Sequence, residues 1–573
     1  MIRCLFLLLL LPSVSLAQGA AVASAHPLAT DAGLRILEKG GNAFDAAIAV
    51  SAVLAVVEPY SSGLGGGGFW LLHEANSSRT VMVDGRERAP LAAHRDMYLN
   101  NQGEVIADRS VDGPLAAGIP GEPAALAHLA KHYARLPLGE TLAPAIQLAR
   151  EGFSADRIYR DMARFRLEVL RASPASAAAF LDNGQVPTQG SVIRQTDLAD
   201  TLQALAERGH DGFYRGEVAQ ELVAGVRDAG GIWTLEDLAH YQVVERPPIQ
   251  GRFRGMTIHA ASPPSSGGVV LMEILNQLQD IPLETLPPAK RVHYLVEAMR
   301  RAYADRAVFL GDPDFVDMPL QRLLSDGYAR ALRASIDPQR ATPSAELPKY
   351  RSGAGLHTTH FSILDSEGNR VAATLSINYP FGSGFTPPGT GVLLNDEMDD
   401  FSARPGTPNV YGLVGGEANA IAPGKRMLSS MTPTFVESDD QIAILGTPGG
   451  SRIITMVLLA ILDMAEGNSP ESWVSLPRFH HQYLPDQIQF EPDALAAKTQ
   501  AKLQAMGHTL KPLQKTYGNM QTVRLDKRTG VVDAASDPRG IGTARAVEGG
   551  GLNTPRLPPL PRANTQPGLT APP

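Results

Sequence analysis

Thr358 and Thr359 stand where a turn-rich stretch of chain runs into an alternating apolar run. A threonine hydroxyl is a weak nucleophile near neutral pH and needs a base beside it. Breaking the bond between His357 and Thr358 supplies that base, because the new α-amino group, with a pKa of about 7.7–8.0, sits within reach of the hydroxyl on the same residue. Taken alone, Thr-Thr is also an ordinary strand start. The surroundings favour chemistry. Ser376 and Asn378 are two apart on the second strand of an expected hairpin, so both are expected on one sheet face beside that start. Other polar groups follow: Glu397 and Asp400 within 395–401, the pair Ser429 and Ser430, and the turn Thr447-Pro448-Gly449-Gly450 ahead of a helical pattern. Upstream, Arg86 ends a strand-like run at 81–84.

Each group has a plainer reading. Arginine at a strand end is most often a solvated surface residue. Glu397 and Asp400 suit a surface turn, or a metal by their oxygen chemistry, but the run lacks the patterned ligands of a calcium loop. Glycines opening a helix leave N–H groups pointing outward where partial positive charge collects, and such a turn is structural as readily as it is anion-stabilising. His480 and His481 are adjacent, and neighbours in a strand face opposite ways, so they chelate poorly and are expected to be structural.

The elements that must position these groups are legible from periodicity. Residues 361–365 and 370–376 read as a hairpin across the polar turn 366–369, and 341–357 reads as an exposed, mobile arm. Two helical patterns lie between Thr30 and Glu58, broken at Gly40-Gly41, the second apolar nearly all round. The glycine cluster 63–68 that follows precedes an apolar strand. It lacks the Gly-Lys-Ser/Thr of a phosphate loop, so close backbone packing is the expected role. Residues 121–242 are mainly helical, 252–261 strand-like, 269–278 and 291–310 helical, 441–445 a strand, and 451–464 a helix.

Taken in order, these motifs closely resemble the γ-glutamyltranspeptidases (γ-glutamyltransferases, glutathione hydrolases), self-cleaving members of the N-terminal-nucleophile hydrolases. The resemblance runs from about Ala21 to about Arg539. It implies an α+β fold, the four-layer αββα sandwich of that class, and an enzyme with no cofactor or metal. It places Thr358 as nucleophile and cleavage point after His357, Ser376 as its hydrogen-bond partner, and the N–H groups of Gly449 and Gly450 as oxyanion hole. It places Arg86, Ser429 and Ser430 on a substrate α-carboxylate, Asn378, Glu397 and Asp400 on its α-ammonium, and Tyr411 in a lid loop over the glutamyl group. The implied substrates are glutathione and other γ-glutamyl compounds, with water, amino acids or dipeptides as acceptors. Residues 18–357 become a large chain and 358–548 a small chain of the same domain, assembled as a heterodimer. Three positions depart from familiar members: His357 replaces glutamine, Ser376 replaces threonine, and 379–381 reads Tyr-Pro-Phe.

Composition bounds the rest. The chain has 573 residues, 44% hydrophobic and 19% charged, ample for a core. A net charge of −8 gives no reason to expect nucleic acid or an anionic membrane as partner. Residues 1–17 have the charged, apolar and small-residue zones of a signal peptide, too short to span a bilayer, so export to the periplasm or beyond is expected. The only cysteine, Cys4, lies inside that segment, leaving a mature chain without disulfides. Residues 549–573 are proline-rich and read as a disordered tail. Two rival readings stand beside the transpeptidase: an acylase of the same class that removes glutaryl groups from β-lactam side chains, and a secreted, uncleaved binding relative.

Overall fold

In a computed structural model, residues 19–347, 358–410 and 412–548 are described. The expected signal peptide, His357, Tyr411, the proline-rich tail and most of the 341–357 arm lie outside them. Two antiparallel sheets lie face to face. The first is seven-stranded, in the order Thr543–Val547, Ala20–Ser24, Thr359–Leu364, Arg370–Ser376, Gly67–Glu74, Arg79–Gly85, Val244–Arg246. The second is six-stranded: Val532–Ser536, Gln521–Asp526, Gln441–Gly446, Thr434–Glu437, Met256–Ala260, Ile249–Phe253.

The first sheet is buried on both faces, and its side chains alternate between two cores. Trp70, Leu72, Val22 and Ile363 pack into the helical layer of Pro27–Glu38, Ala43–Val57 and Glu122–His132. Phe69, Leu71, Ala21 and Ala23 pack between the sheets. That second core continues through the six-stranded sheet to the helices Gly267–Leu278, Pro288–Phe309 and Ile453–Ala465. The result is the αββα sandwich, with the expected hairpin at the centre of one sheet.

Local sequence explains the central pieces. Asn42 caps Ala43–Val57 with a reciprocal bond to Asp45, and every residue of that helix is buried. Asp45 also accepts from the backbone N–H groups of Arg135 and Leu136 at 3.0 and 2.9 Å, so one carboxylate joins two helical segments. Asp365 closes the hairpin turn, accepting from Glu367 and Asn369 N–H at 2.9 and 3.0 Å, and takes the Ala43 N–H at 2.9 Å. The hairpin is thereby tied to the start of the buried helix. Between the sheets, His360 bonds Thr374 Oγ1 at 2.8 Å, and burial pulls its ring down to about 3, so it stays neutral. Its imidazole fills the space above Gly446, where an added Cβ would stand 2.3 Å from the ring.

The glycine cluster is a packing device, as expected. A Cβ on Gly65 would lie 2.0 Å from the Leu393 carbonyl oxygen, and one on Gly66 2.2 Å from that of Ser376. Three expectations need correction. Residues 252–261 form not one strand but a hairpin, Ile249–Phe253 with Met256–Ala260, because Arg254 and Gly255 take positive φ and turn the chain. The described start of the 341–357 arm is not loose: Ala341 and Ser344 are buried, and Ala341 N–H bonds Met506 O at 2.7 Å. The shared sheet face for Ser376 and Asn378 also fails, since the strand ends at Ser376 and Asn378 turns to φ 73°.

Because Gly66 touches backbone rather than a yielding side chain, Gly66→Ala should destabilise the fold by about 2 kcal/mol or more. Denaturant unfolding checks this, with Gly139→Ala, which meets nothing within 4 Å, as the comparison.

Candidate active site

Thr358 immediately precedes the central strand Thr359–Leu364 and is 7% exposed. In the hairpin Leu375 pairs with Thr359, so the same register continued by one residue sets Thr358 opposite Ser376. The Ser376 hydroxyl accepts from Asn378 N–H at 2.8 Å, and it lies near enough to Glu397 to favour that carboxylate's charged form. Asn378 donates its amide nitrogen to Asp396 O and Oδ2 at 3.0 and 3.2 Å, which turns its amide oxygen away from Asp396. Asn395 is the peg beneath: its side chain bonds Gly65 O, Gly118 O and N–H, and Glu397 N–H at 2.6–3.0 Å.

Arg86 leaves the strand Arg79–Gly85 and is 1% exposed. Its guanidinium donates to Glu397 Oε2 at 2.6 Å, Asp400 Oδ2 at 2.5 Å and Met427 O at 3.2 Å. The residues expected on opposite charges of one ligand are thus paired with each other. Burial pushes the Glu397 carboxyl up to about 7, although Arg86 and the Ser376 hydroxyl pull it down.

Ser429 and Ser430 face this cluster. The Ser265-Ser266 turn backs them, with Ser266 N–H and Oγ donating to Ser429 O at 2.9 and 2.7 Å. Behind Ser430 lies Arg306, which sequence reasoning missed. It donates to Ser430 Oγ at 3.1 Å and Ser266 Oγ at 2.8 Å, and burial pulls its guanidinium down to about 10. A buried cation held by two hydroxyls adds positive potential behind the serine pair. Nothing in the sequence sets it apart, because its helix also carries Glu297, Arg300, Arg301 and Asp305, all buried.

Gly449 and Gly450 take φ of 143° and 56°, backbone that favours glycine, just before Ile453–Ala465. A 3₁₀ turn, Gly450–Arg452, leads into that helix, so the regular helix starts two residues later than expected. The N–H groups at this end have no intrahelical acceptors. The loop expected as a lid is anchored to the site: Val410 N–H bonds Asp399 Oδ2 at 2.7 Å and Asn409 bonds Asp400 Oδ1 at 3.0 Å.

Arg86, Thr358, Ser376, Asn378, Glu397, Asp400, Ser429, Ser430 and Gly450 line one cavity, with Leu413 of the loop. Its free volume is only about 20 Å³, about one water. Gly449 lines a different cavity on the other side of Thr358. His480 and His481 bond Thr455, Gln482 and Asp486 and take no part.

The family described as Gamma-glutamyltranspeptidase matches residues 29–547. The chain is 45% identical over 497 residues to the glutathione hydrolase proenzyme of Pseudomonas sp. (strain A14), covering 86% of each. It is 42% identical over 534 residues to that of Escherichia coli (strain K12), covering 91% of this chain and 90% of the relative. Among solved structures, a cephalosporin acylase from Bacillus halodurans superposes with a TM-score of 0.81 at 30% identity, covering 92% of this chain and 96% of that one. The Helicobacter pylori γ-glutamyltranspeptidase gives 0.56 at 41% identity, over 56% of this chain and 93% of that one. A strand that starts at a buried threonine, in a two-sheet sandwich shared with these enzymes, has its explanation in descent: the chain belongs to the γ-glutamyltranspeptidase family.

Proposed function

We propose that this protein is a precursor that cuts itself before Thr358 and then acts as a γ-glutamyl hydrolase and transferase on glutathione and related amides. The observation that carries the reading is the single cavity in which Thr358 meets a cationic and an anionic group suited to an amino-acid head.

In maturation, Thr358 Oγ1 attacks the carbonyl carbon of His357, the acyl group shifts from nitrogen to oxygen, and water hydrolyses the ester. The large and small chains stay together as a heterodimer, because the new end begins a strand paired on both sides. In turnover, Oγ1 attacks the γ-carbonyl while its proton passes to the Thr358 α-amino group. Negative charge on the carbonyl oxygen meets the N–H groups of Gly449 and Gly450; one such donor typically lowers a barrier by roughly 3–4 kcal/mol. The amine leaves with the proton, and water or a second amine resolves the γ-glutamyl ester. Ser376, bonded to Asn378 N–H and close to Glu397, holds the nucleophile's surroundings in place.

The resting ion pairs fit this role. A γ-glutamyl head is itself a zwitterion, so its carboxylate can replace Glu397 and Asp400 on Arg86 while its ammonium takes the released carboxylates. Charge balance in the buried site is then kept. Ser429 and Ser430, backed by Arg306, complete the carboxylate end, and Asn378 the ammonium end. The small cavity means that Leu413 and its loop must yield on binding. Export by removal of residues 1–17 belongs to the same reading; among the described residues, no helix is long and apolar enough to cross a membrane. The likeness to a cephalosporin acylase supports a second reading, a glutaryl acylase. A glutaryl group lacks the amine that Glu397 and Asp400 would bind.

Purified wild-type protein should run as two chains, the smaller beginning at Thr358 by N-terminal sequencing. It should release aniline from a γ-glutamyl anilide at least 100-fold faster than from the glutaryl analogue. Thr358→Ala should remain one chain and lose about 10³-fold or more in rate; an uncut, active variant would overturn the mechanism. Ionised Glu397 binds the ammonium and protonated Glu397 does not, so affinity is full above pH 7 and is lost as pH falls. The KM for a γ-glutamyl anilide should therefore rise from pH 8 to pH 5.5, by at most roughly tenfold per unit.

A further inference from the structure

The helix Glu122–His132 ends on the segment His128-Leu129-Ala130-Lys131-His132. Residues four apart on a helix are neighbours on one face, and here the two imidazole rings stand 4.5 Å apart, centroid to centroid. Two histidines with three residues between them is the spacing by which helices of zinc fingers and of His-Glu-x-x-His metalloproteases hold a metal. Leu129 occupies the place of the metalloprotease glutamate, so the pair supplies ligands without a general base.

A carboxylate sets the first ring. Glu245, on the strand Val244–Arg246, lies 2.9 Å from His128 Nε2, and it also accepts from the Tyr133 hydroxyl and the Arg79 guanidinium, each at 2.5 Å. Facing such an acceptor, Nε2 carries the proton, and the lone pair of the neutral ring is on Nδ1. A carboxylate in this position is what fixes the tautomer and orientation of metal-bound histidines. His128 Nδ1 and both nitrogens of His132 have no hydrogen-bond partner among the described residues. His132 is exposed, so its ring can turn to bring a nitrogen within roughly 3–3.5 Å of Nδ1, the separation of two ligands on one ion with bonds of about 2.0–2.1 Å.

Both rings open on a cavity of about 700 Å³. Lys131 and Arg208 line it as well and attract anions, so the ion's remaining positions suit water or a small anion. His210 is on the same wall, but its Nε2 bonds Tyr241 O at 2.9 Å and its ring stacks on Tyr214, which keep it in place. A different cluster, His293, Glu297 and His508, brings its ligand atoms within 4.8 Å of one another but uses them up internally. There the two imidazoles bond each other at 2.8 Å, and Glu297 accepts from Arg300 and Arg301 at 3.2 and 2.6 Å, guanidiniums that repel a cation.

We propose that His128 and His132 form a binding site for a divalent transition-metal ion of the zinc or copper class, held by His128 Nδ1 and a nitrogen of His132, with Glu245 orienting His128. Imidazole donors select those metals over calcium or magnesium. The ion has no part in turnover. At the other end of this helix Glu122 N–H bonds Gly66 O at 3.0 Å, and ten residues of helix span about 15 Å, so the ion sits well away from the glycine cluster beside Ser376. Its effect is to clamp the last helical turn, which His128 and Glu245 already join to the strand Val244–Arg246.

The test uses purified, untagged protein stripped with a chelator and titrated with zinc chloride by calorimetry, and with copper(II) sulfate by electron paramagnetic resonance. Wild type should bind one zinc ion per molecule, and its copper signal should show coupling to two imidazole nitrogens. His132→Ala, at an exposed position, should weaken zinc binding at least tenfold and leave coupling to one nitrogen; His128→Ala should do the same. Glu245→Gln should cost roughly tenfold. His94→Ala, which removes a different exposed histidine, should change nothing. Wild type that binds no zinc, or His132→Ala that binds it as tightly as wild type, overturns the site.

Discussion

The pairing of Thr359–Leu364 between Ala20–Ser24 and Arg370–Ser376 is the constraint on which the molecule depends. A reactive amino terminus is ordinarily a frayed end, and frayed ends do not hold a nucleophile to a fraction of an ångström. Here the residue proposed to react immediately precedes a strand that pairs with a neighbour on each side and is covered on both faces. Asp365 ties its hairpin to the buried helix, and His360 wedges it against the second sheet. Scission would free one bond at the strand's tip and leave the ladder intact.

Around that tip the site is built from backbone brought unusually close. The glycines from 65 to 68 let the neighbouring strand, the Ser376 carbonyl and the 393–395 segment approach to distances that no Cβ allows. Asn395 then pins the approach with four hydrogen bonds, and its neighbours Asp396 and Glu397 fall where Asn378 and Arg86 need them. Burying so many polar groups is costly unless each is paired, and the resting site pairs its own charges. A ligand able to replace those pairs must carry a cation and an anion close together, as on one carbon. In the proposed function, the electrostatics that pair the site's own charges are also those that receive an amino-acid head.

Much of this was legible in the chain. Threonines at a strand start, a hairpin turn rich in polar residues, a helix with no polar face, and a glycine pair before an apolar helix are local patterns with local causes. The resemblance to a known family then attached roles to Arg86, Asn378, Glu397, Asp400, Ser429 and Ser430. Other features were not legible, for identifiable reasons. Asn378 left the strand because its backbone turns to positive φ after Ser376, which an alternating pattern does not announce. Arg306 sits in a helix whose spacing looks structural, and its partners Ser266 and Ser430 are distant in sequence. Glu58 and Lys515 share a cavity wall although 457 positions separate them, a relation no spacing can carry.

By itself the sequence determined most of the helices, strands and tight turns around the site, where a threonine could become a chain end, and which family the motifs resemble. These depend on short-range periodicity, turn chemistry and descent. Only the tertiary structure decided that Arg86 rests on Glu397 and Asp400, that Arg306 stands behind Ser430, and that Thr358 opens on two cavities rather than one. Those facts arise from charges and carbonyls meeting across a closed sandwich, where burial makes each pairing matter and chain distance counts for nothing.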